Sequence, residues 1–489
     1  MIDTQRERMR ISEMAIRGKL SQRIKAKMSI DDIISEIRAE REILIKNKES
    51  KISKTSEMLK EDIFDIPEGW KWVALGDLCL LLSRGKSPKY SEVKKYPVFA
   101  QKCNQPKCLA LEKALFLDEN TLEKWPTFFR LRDADIVINS TGTGTVGRVG
   151  YYLTETLNPK YQFMVPDSHV TVVRVGKNII SKYLYYVLRT KTIQNIMEKT
   201  YRGSTNQKEF YIDSVYSIPI PLPNTDEQKQ IVTILDKAFM QLDIIDSFQQ
   251  QYAADAEILK SKLIDAAIQG KLTEQLPSDG TAEELYQHIQ TEKQALISAG
   301  KIKKEKPLKE IEEDEIPFEI PESWKWVRFG DISYIERGGS PRPIKQYLTD
   351  DANGINWIKI GDVEKGGKYI FKTKEKIKPE GEKKSRRVYP DDFLLTNSMS
   401  FGRPYISKIE GCVHDGWLII RNLGGVSADY LYYLLSAKFL YEQFCQKASG
   451  STVSNLNIEK VNSAIIPLPP IKEQERIANR IEELLKECN

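Results

Sequence analysis

Residues 66–78, IPEGWKWVALGDL, return as IPESWKWVRFGDI at 320–332. YLYYVLRTK at 183–191 returns as YLYYLLSAK at 430–438, and IPIPLPNTDEQKQI at 218–231 as AIIPLPPIKEQERI at 464–477. AIRGKL at 15–20 returns as AIQGKL at 267–272, so the four offsets are 254, 247, 246 and 252. A repeat this long fixes the architecture before any single motif is weighed. Two copies of one module lie in tandem, and their number and spacing are the best guide to function.

The 489 residues leave room for several domains with ample core. The N-terminus, MIDTQRERMR, has no apolar run behind its charges, and no stretch reaches the roughly 20 apolar residues of a membrane helix. Six cysteines without a CxxC pair, and only three histidines, argue for reduced cytoplasmic thiols and against a structural zinc site. A net charge of +5 is too small to mark a nucleic-acid binder by itself. Its distribution says more: residues 83–108 carry seven Lys or Arg against one acid, and residues 365–387 ten against three. Each cluster follows a WKW motif among Gly, Pro and aromatic residues, a setting that suits phosphate contact.

The pattern predicts an α+β chain: two repeated α/β domains separated by long antiparallel coiled-coil helices, with cyclic pseudo-two-fold symmetry. Its segments are 1–65 (helical), 66–224 (first α/β domain), 225–319 (central helices and linker), 320–470 (second α/β domain) and 471–489 (helix). Short strands are expected at 135–139, 169–175 and 392–397, and an apolar helix at 181–199 with its copy at 428–446. The Pro-rich turns at 221–223 and 467–469 precede a helix start, with Asp226 or Thr225 as N-cap. From Glu227 the period becomes seven. Ile231, Ala238, Ile245, Tyr252, Leu259 and Ala266 form one seam, Leu235, Leu242, Ala256 and Leu263 the other, with Gln249 the polar intruder. About 44 residues at roughly 1.5 Å each make a rod of about 65 Å. The second copy of this helix stops at Asn489, and its missing half matches the N-terminal MRISEMAIRGKL. The terminal helices are therefore expected end to end, antiparallel to helix 227–270. Residues 30–46 and 281–299 should form a second, shorter pair of helices.

Gly142-Thr143-Gly144-Thr145-Val146-Gly147 matches GxGxxG, yet a dinucleotide site needs a helix next, and RVGYYL reads as strand. A flexible loop approaching DNA fits better. No Asn/Asp-Pro-Pro-aromatic loop for an extruded base is present, and no carboxylate cluster of nuclease type. What the copies share is polar and local. Arg84-Gly85-Lys86-Ser87-Pro88 aligns with Arg337-Gly338-Gly339-Ser340-Pro341, Asn139-Ser140-Thr141 with Asn397-Ser398-Met399, and Gly203-Ser204-Thr205 with Gly450-Ser451-Thr452. Between these landmarks the copies diverge, which fits two readers of two different sequences and equally turn chemistry with neutral drift.

Taken together, the IPxxWKW start, the Gly-Ser-Pro turn, the IVINSTGTGTVGRVG loop, the IPxPLPxxxEQxxI exit and the AIxGKL helix end resemble the DNA specificity subunits of type I restriction-modification systems. The resemblance covers nearly the whole chain. It implies two target recognition domains, two conserved helical regions and no catalysis. It also implies partners: double-stranded DNA, two methyltransferase subunits carrying S-adenosylmethionine, and ATP- and Mg-dependent restriction subunits. Each domain would read base edges in the major groove while Lys and Arg hold phosphates. On that basis the first domain offers Arg84, Lys86, Lys89 and Lys102 as cations. Asn104, Gln105, Asn139, Thr141, Arg148 and Thr205 are its loop donors. The second offers Arg337, Arg342, Lys345, Lys359 and Arg403, with Asn397, Ser398, Ser451 and Asn455.

If the rod sets the separation, the target is bipartite, with unlike half-sites in opposite orientations around an unread spacer. Two other classes compete. A fused methyltransferase-specificity enzyme would need a cofactor-binding domain, and a protein-only coiled-coil scaffold would bind DNA without salt sensitivity.

Overall fold

The computed structural model describes residues 1–25, 27–52, 56–61, 63–203, 208–364, 366–398, 401–448 and 456–488. The chain divides into two compact units, Met1–Gln250 and Gln251–Asn489, and the boundary falls inside the 44-residue helix Thr225–Ile268. Each unit therefore takes one half of that helix and one terminal portion of the sequence.

In the first unit, Lys71–Ala74 pairs antiparallel with Pro219–Leu222, clasping the start and end of the α/β domain. Between them lie two four-stranded sheets. The first is antiparallel, in the order Cys79–Arg84, Val170–Val175, Ile136–Asn139, Val149–Tyr151. The second is mixed, in the order Tyr90–Ser91, Leu115–Leu117, Pro97–Phe99, Val165–Pro166. The second unit repeats the clasp, Lys325–Arg328 with Ile465–Leu468. Its main sheet runs Ser333–Arg337, Trp417–Asn422, Phe393–Thr396, Pro404–Ser407, with Tyr369–Ile370 added at the edge. Strands at 136–139, 170–175 and 393–396 form where short strands were expected, and the first and last are buried throughout.

The repeated motifs are explained by repeated contacts. Gln228 Oε1 accepts the Ile180 N–H at 2.8 Å while its Nε2 donates to Pro223 O at 3.0 Å. Gln474 makes the same two bonds to Ser427 N and Pro469 O, both at 2.8 Å. Each glutamine thus ties the helix start to the domain's exit turn and to the amide that opens the Tyr-rich helix. Tyr183 and Tyr430 of those helices donate to Pro221 O and Pro467 O. The preceding acids, Glu227 and Glu473, are also buried. Glu473 accepts from Thr273, Gln275 and Trp324 Nε1, the last at 2.8 Å. Glu227 accepts from Ser21 and from Arg23, whose guanidinium lies 5.2 Å over the Trp70 ring. A buried carboxylate with several donors is stable where an unpartnered one would not be.

The AIxGKL ends need glycine for two reasons. Gly18 and Gly270 have φ of 65° and 74°, the left-handed conformation that ends a helix. A Cβ on them would also lie 2.4 Å from Pro67 Cγ and 2.7 Å from Pro321 Cγ. The helix ends and the IPxxW starts are therefore one interlocking device.

Helices Ile30–Lys46 and Ala282–Ser298 form as expected, 17 residues each. Each docks on its own domain through a buried cation: Arg41 Nη1 donates to Gly76 O at 3.0 Å and Lys293 Nζ to Gly330 O at 2.5 Å. The helix Thr4–Ile16 runs antiparallel to the long helix, since Arg8 meets Asp243, Thr4 meets Asp246 and Ile2 meets Gln249. In the second unit the end of the long helix takes the place of that first helix. Asp265 accepts the Lys438 N–H at 2.9 Å, as Glu13 accepts the Thr192 N–H at 2.9 Å.

Three expectations need correction. The helix expected at 181–199 is two helices, Ser181–Leu188 and Lys191–Lys199, because Thr190 between them caps the second. Its copy is likewise Ala428–Ser436 and Lys438–Ala448. The long helix is capped by Asn224, whose Oδ1 accepts the Glu227 N–H at 3.0 Å, not by Thr225 or Asp226. The heptad seam is buried only at Ile231, Leu235 and Leu242, and the residues buried near the helix end, Ala267 and Ile268, lie off it. Each fully buried Ile or Leu contributes about 1.5–3 kcal/mol. Tyr252 and Leu259 of the same seam are exposed. In the first unit the 13-residue helix Thr4–Ile16 is too short to cover more of the long helix than it does.

Candidate nucleic-acid interface

Four loops of the first domain meet at one end of its main sheet, the 84–88 turn, 101–105, 141–148 and 166–169, and Glu209, bridged to Arg202 and Thr141, joins them. The Ile136–Asn139 strand is fixed by Asp135, which binds Arg174 through two bonds of 2.8 and 2.7 Å. Burial pushes the Asp135 carboxyl up, against the lowering effect of Arg174. The loop after this strand closes through Asn139 N–H to Arg148 O at 3.0 Å and Gly147 N–H to Asn139 O at 2.8 Å. The three glycines of the GxGxxG string, at 142, 144 and 147, all have positive φ, and strand Val149–Tyr151 follows. The string is followed by a strand and not by a helix, as the sequence indicated.

Asn104 and Asn139 are fully buried. Asn104 Nδ2 donates to Asn139 Oδ1 at 3.1 Å and to Arg148 O at 3.0 Å. Arg148 Nη1 donates back to Asn104 O at 2.8 Å. Both asparagines were expected to face DNA; their side chains instead shape the 101–105 and 141–148 loops. Gln105 Nε2 closes the same loop on Lys102 O at 2.7 Å. Thr141 is held by Gln101 and stands 2.8 Å from His169 Nδ1.

The cations divide into free and paired. Lys86 and Lys102 are exposed, with Lys86 Nζ 5.2 Å over the Phe129 ring. Lys89 is exposed but pairs with Asp118 at 3.2 Å. Arg84 is half-buried, ion-paired with Glu209, and donates to Phe210 O at 2.6 Å. Arg84 holds the Glu209 carboxyl below its usual range. Sequence reasoning missed Glu209 because nothing in the repeat marks it. Thr205 lies outside the described residues.

The second domain uses the same frame with other side chains. Thr396 N–H donates to Arg403 O at 3.1 Å and Gly402 N–H to Thr396 O at 2.7 Å. Gly402 has φ 78°, as Gly147 does. The structural register therefore sets Asn139 against Thr396 and Ser140 against Asn397, one residue from the alignment read in the sequence. The physical reason is that the strand is placed by its ends, Asp135 and Asp392 at the start and the Gly-Arg closure at the finish. Asn397 is buried, its Nδ2 donating to Asp415 O at 2.8 Å, so it too shapes a loop. Arg337, Arg342, Lys345 and Arg403 are exposed. Arg342 lies 3.3 Å from Asp415, which Ser340 also bonds at 2.6 Å. The Ser340 hydroxyl, with smaller help from His414 and Arg342, holds the Asp415 carboxyl below its usual range. Lys359 pairs with Glu375 at 2.6 Å, and Ser398 is half-buried. Ser451 and Asn455 lie outside the described residues.

One loop-bearing module is thus built twice, with unlike side chains at matching strand ends. Both copies, residues 67–251 and 321–489, match the family described as the type I restriction modification DNA specificity domain. The chain belongs to that family. It is 24% identical to the EcoEI specificity subunit of a type I restriction enzyme from Escherichia coli, over 98% of this chain and 88% of that protein. The EcoAI specificity subunit of the same organism matches at 24% identity, again over 98% and 88%. A solved structure described as the basis of complex assembly and conformational transition of the type I R-M system has a chain of like fold. It is 17% identical over 87% of this chain and 92% of that one, with a TM-score of 0.56.

Proposed function

We propose that this chain is the sequence-reading subunit of a type I restriction-modification complex and performs no catalysis itself. Each α/β domain reads one half of a bipartite, gapped, asymmetric site in the major groove, and the long helix sets the unread spacer. The observation that carries this is the pairing of identical scaffold contacts with divergent loops at the same strand ends. Exposed cations with no ion-pair partner among the described residues, such as Lys86, Lys102, Arg337, Lys345 and Arg403, suit phosphates, which fix register, while loop side chains face base edges.

Methyltransferase subunits, with S-adenosylmethionine, and restriction subunits, with ATP and Mg, are the protein partners. Exposed apolar side chains on the long helix support such docking: Met240, Ile244 and Phe248, four residues apart, in the first unit, and Tyr252, Ile258 and Leu259 in the second. No helix among the described residues is long and apolar enough to cross a membrane, and the proposed site of action is the cytoplasm. Mapping methylated adenines in host DNA tests the function. One asymmetric gapped motif should appear and vanish when this chain is deleted; a motif that survives deletion would end the proposal.

A further inference from the structure

The turn that leads into the last strand of each main sheet, residues 166–169 and 413–416, is assigned no role by the motifs or by the relatives. Backbone bonds make the two turns equivalent. Ser140 N–H donates to His169 O at 2.8 Å, and Asn397 N–H to Gly416 O at 3.0 Å. Gly85 N–H donates to Val170 O at 3.0 Å, and Gly338 N–H to Trp417 O at 2.9 Å. One backbone position thus carries an imidazole in the first domain and no side chain in the second. The turn sits among the converging loops: it is bridged to the basic turn at Lys86 and Asp167, and Ser87 meets Ser168 at 3.2 Å.

His169 is exposed, yet its ring is held. Gln101 Nε2 donates to Thr141 Oγ1, and Thr141 Oγ1 is 2.8 Å from His169 Nδ1. An amide nitrogen only donates, so Gln101 takes one of the two Thr141 lone pairs and the hydroxyl hydrogen can point at Nδ1. With that hydrogen pointed at Nδ1, the ring nitrogen Nδ1 accepts and the ring hydrogen lies on Nε2. Nε2 has no partner among the described residues. Below the ring, Asp167 Oδ1 accepts the His169 N–H at 2.8 Å and fixes the backbone of the turn. In that tautomer the oriented imidazole presents one N–H donor outward, at the end of the sheet where the loops gather.

We infer that His169 is a specificity-determining residue of the first domain, its Nε2–H donating to a base-edge acceptor in the major groove, with Thr141 as the positioning residue that fixes its tautomer. The acceptors available there are guanine O6 and N7, adenine N7 and thymine O4. The inference rests on the function proposed above and adds to it one contact and its direction.

The test is adenine-methylation mapping in cells carrying the full complex with variant chains. His169→Phe keeps a ring but has no N–H; one base pair in one half-site should lose about tenfold or more of its discrimination, with the other half-site unchanged. His169→Gln, which offers N–H donors at similar reach, should keep most of it, and Thr141→Val should relax the same base pair. An unchanged motif in His169→Phe would overturn the inference. So would equal loss in His169→Phe and His169→Gln, or loss of all methylation in every variant despite assembly of the complex. A wild-type chain whose deletion leaves the motif intact would instead overturn the proposed function.

Discussion

Gln228 Oε1 accepts the main-chain N–H of Ile180 at 2.8 Å across a span of 48 residues, and Gln474 repeats the bond to Ser427. Gln228→Ala would leave that N–H and Pro223 O without their partner in a buried site. The expected cost is about 1–3 kcal/mol, read as a lower denaturation midpoint for the first unit. Gln474→Ala should do the same to the second unit and spare the first.

Gly270→Ala should destabilise the second unit by more than about 1 kcal/mol. The new Cβ would have to enter a left-handed conformation and displace Pro321, 2.7 Å away. Thermal unfolding of the variant chain in its complex measures this, and an unchanged Tm would contradict the interlock.

Lys86→Ala and Lys102→Ala should weaken DNA binding evenly across sequences and reduce the salt slope by about 1 each. Arg342→Ala should instead relax one position of the half-site read by the second domain. Salt titration of the complex, with cognate and altered duplexes, separates the two behaviours.

Acid should weaken the second unit through Glu315. The Arg328 guanidinium lowers its carboxyl from 4.5 to about 2. A carboxyl held below its ordinary value stabilises the fold above that value, and the gain disappears as pH falls from the ordinary range towards 2. Glu315→Gln should be less stable than wild type at pH 7, and the gap should shrink when denaturation is repeated near pH 3.

Inserting seven residues in the long helix should lengthen the spacer or abolish binding, because a heptad keeps the seam but shifts and rotates the downstream residues. Methylation mapping distinguishes these outcomes from a changed half-site, which would contradict the proposed role of the helix.

The scaffold was legible in the sequence wherever both copies need the same contact. The EQ pair, the PLP turn, the helix-ending glycines and the WKW strand all recur because each makes one bond or one close approach that other residues do not. The matching halves of the terminal and long helices were legible for the same reason. The loop cluster was legible only in outline. Asn139 and Asn397 look like a shared polar landmark, but buried anchors at the strand ends set the register and separate them by one position. Asn104 was misread because a polar residue in a loop suggests exposure, whereas this one is consumed by Asn139 and the Arg148 carbonyl. Glu209 and His169 left no mark in the repeat, since their partners, Arg84 and Thr141, are distant in sequence.

The 141–148 loop and its shorter counterpart are closed by the same two main-chain bonds and the same Gly-Arg pair, at 147–148 and 402–403. The closing bonds are main-chain bonds and do not depend on which side chains lie between them. Under the proposed function, rewriting the residues between them while the closures stay put would let a new binding preference arise from a few codons without refolding the domain.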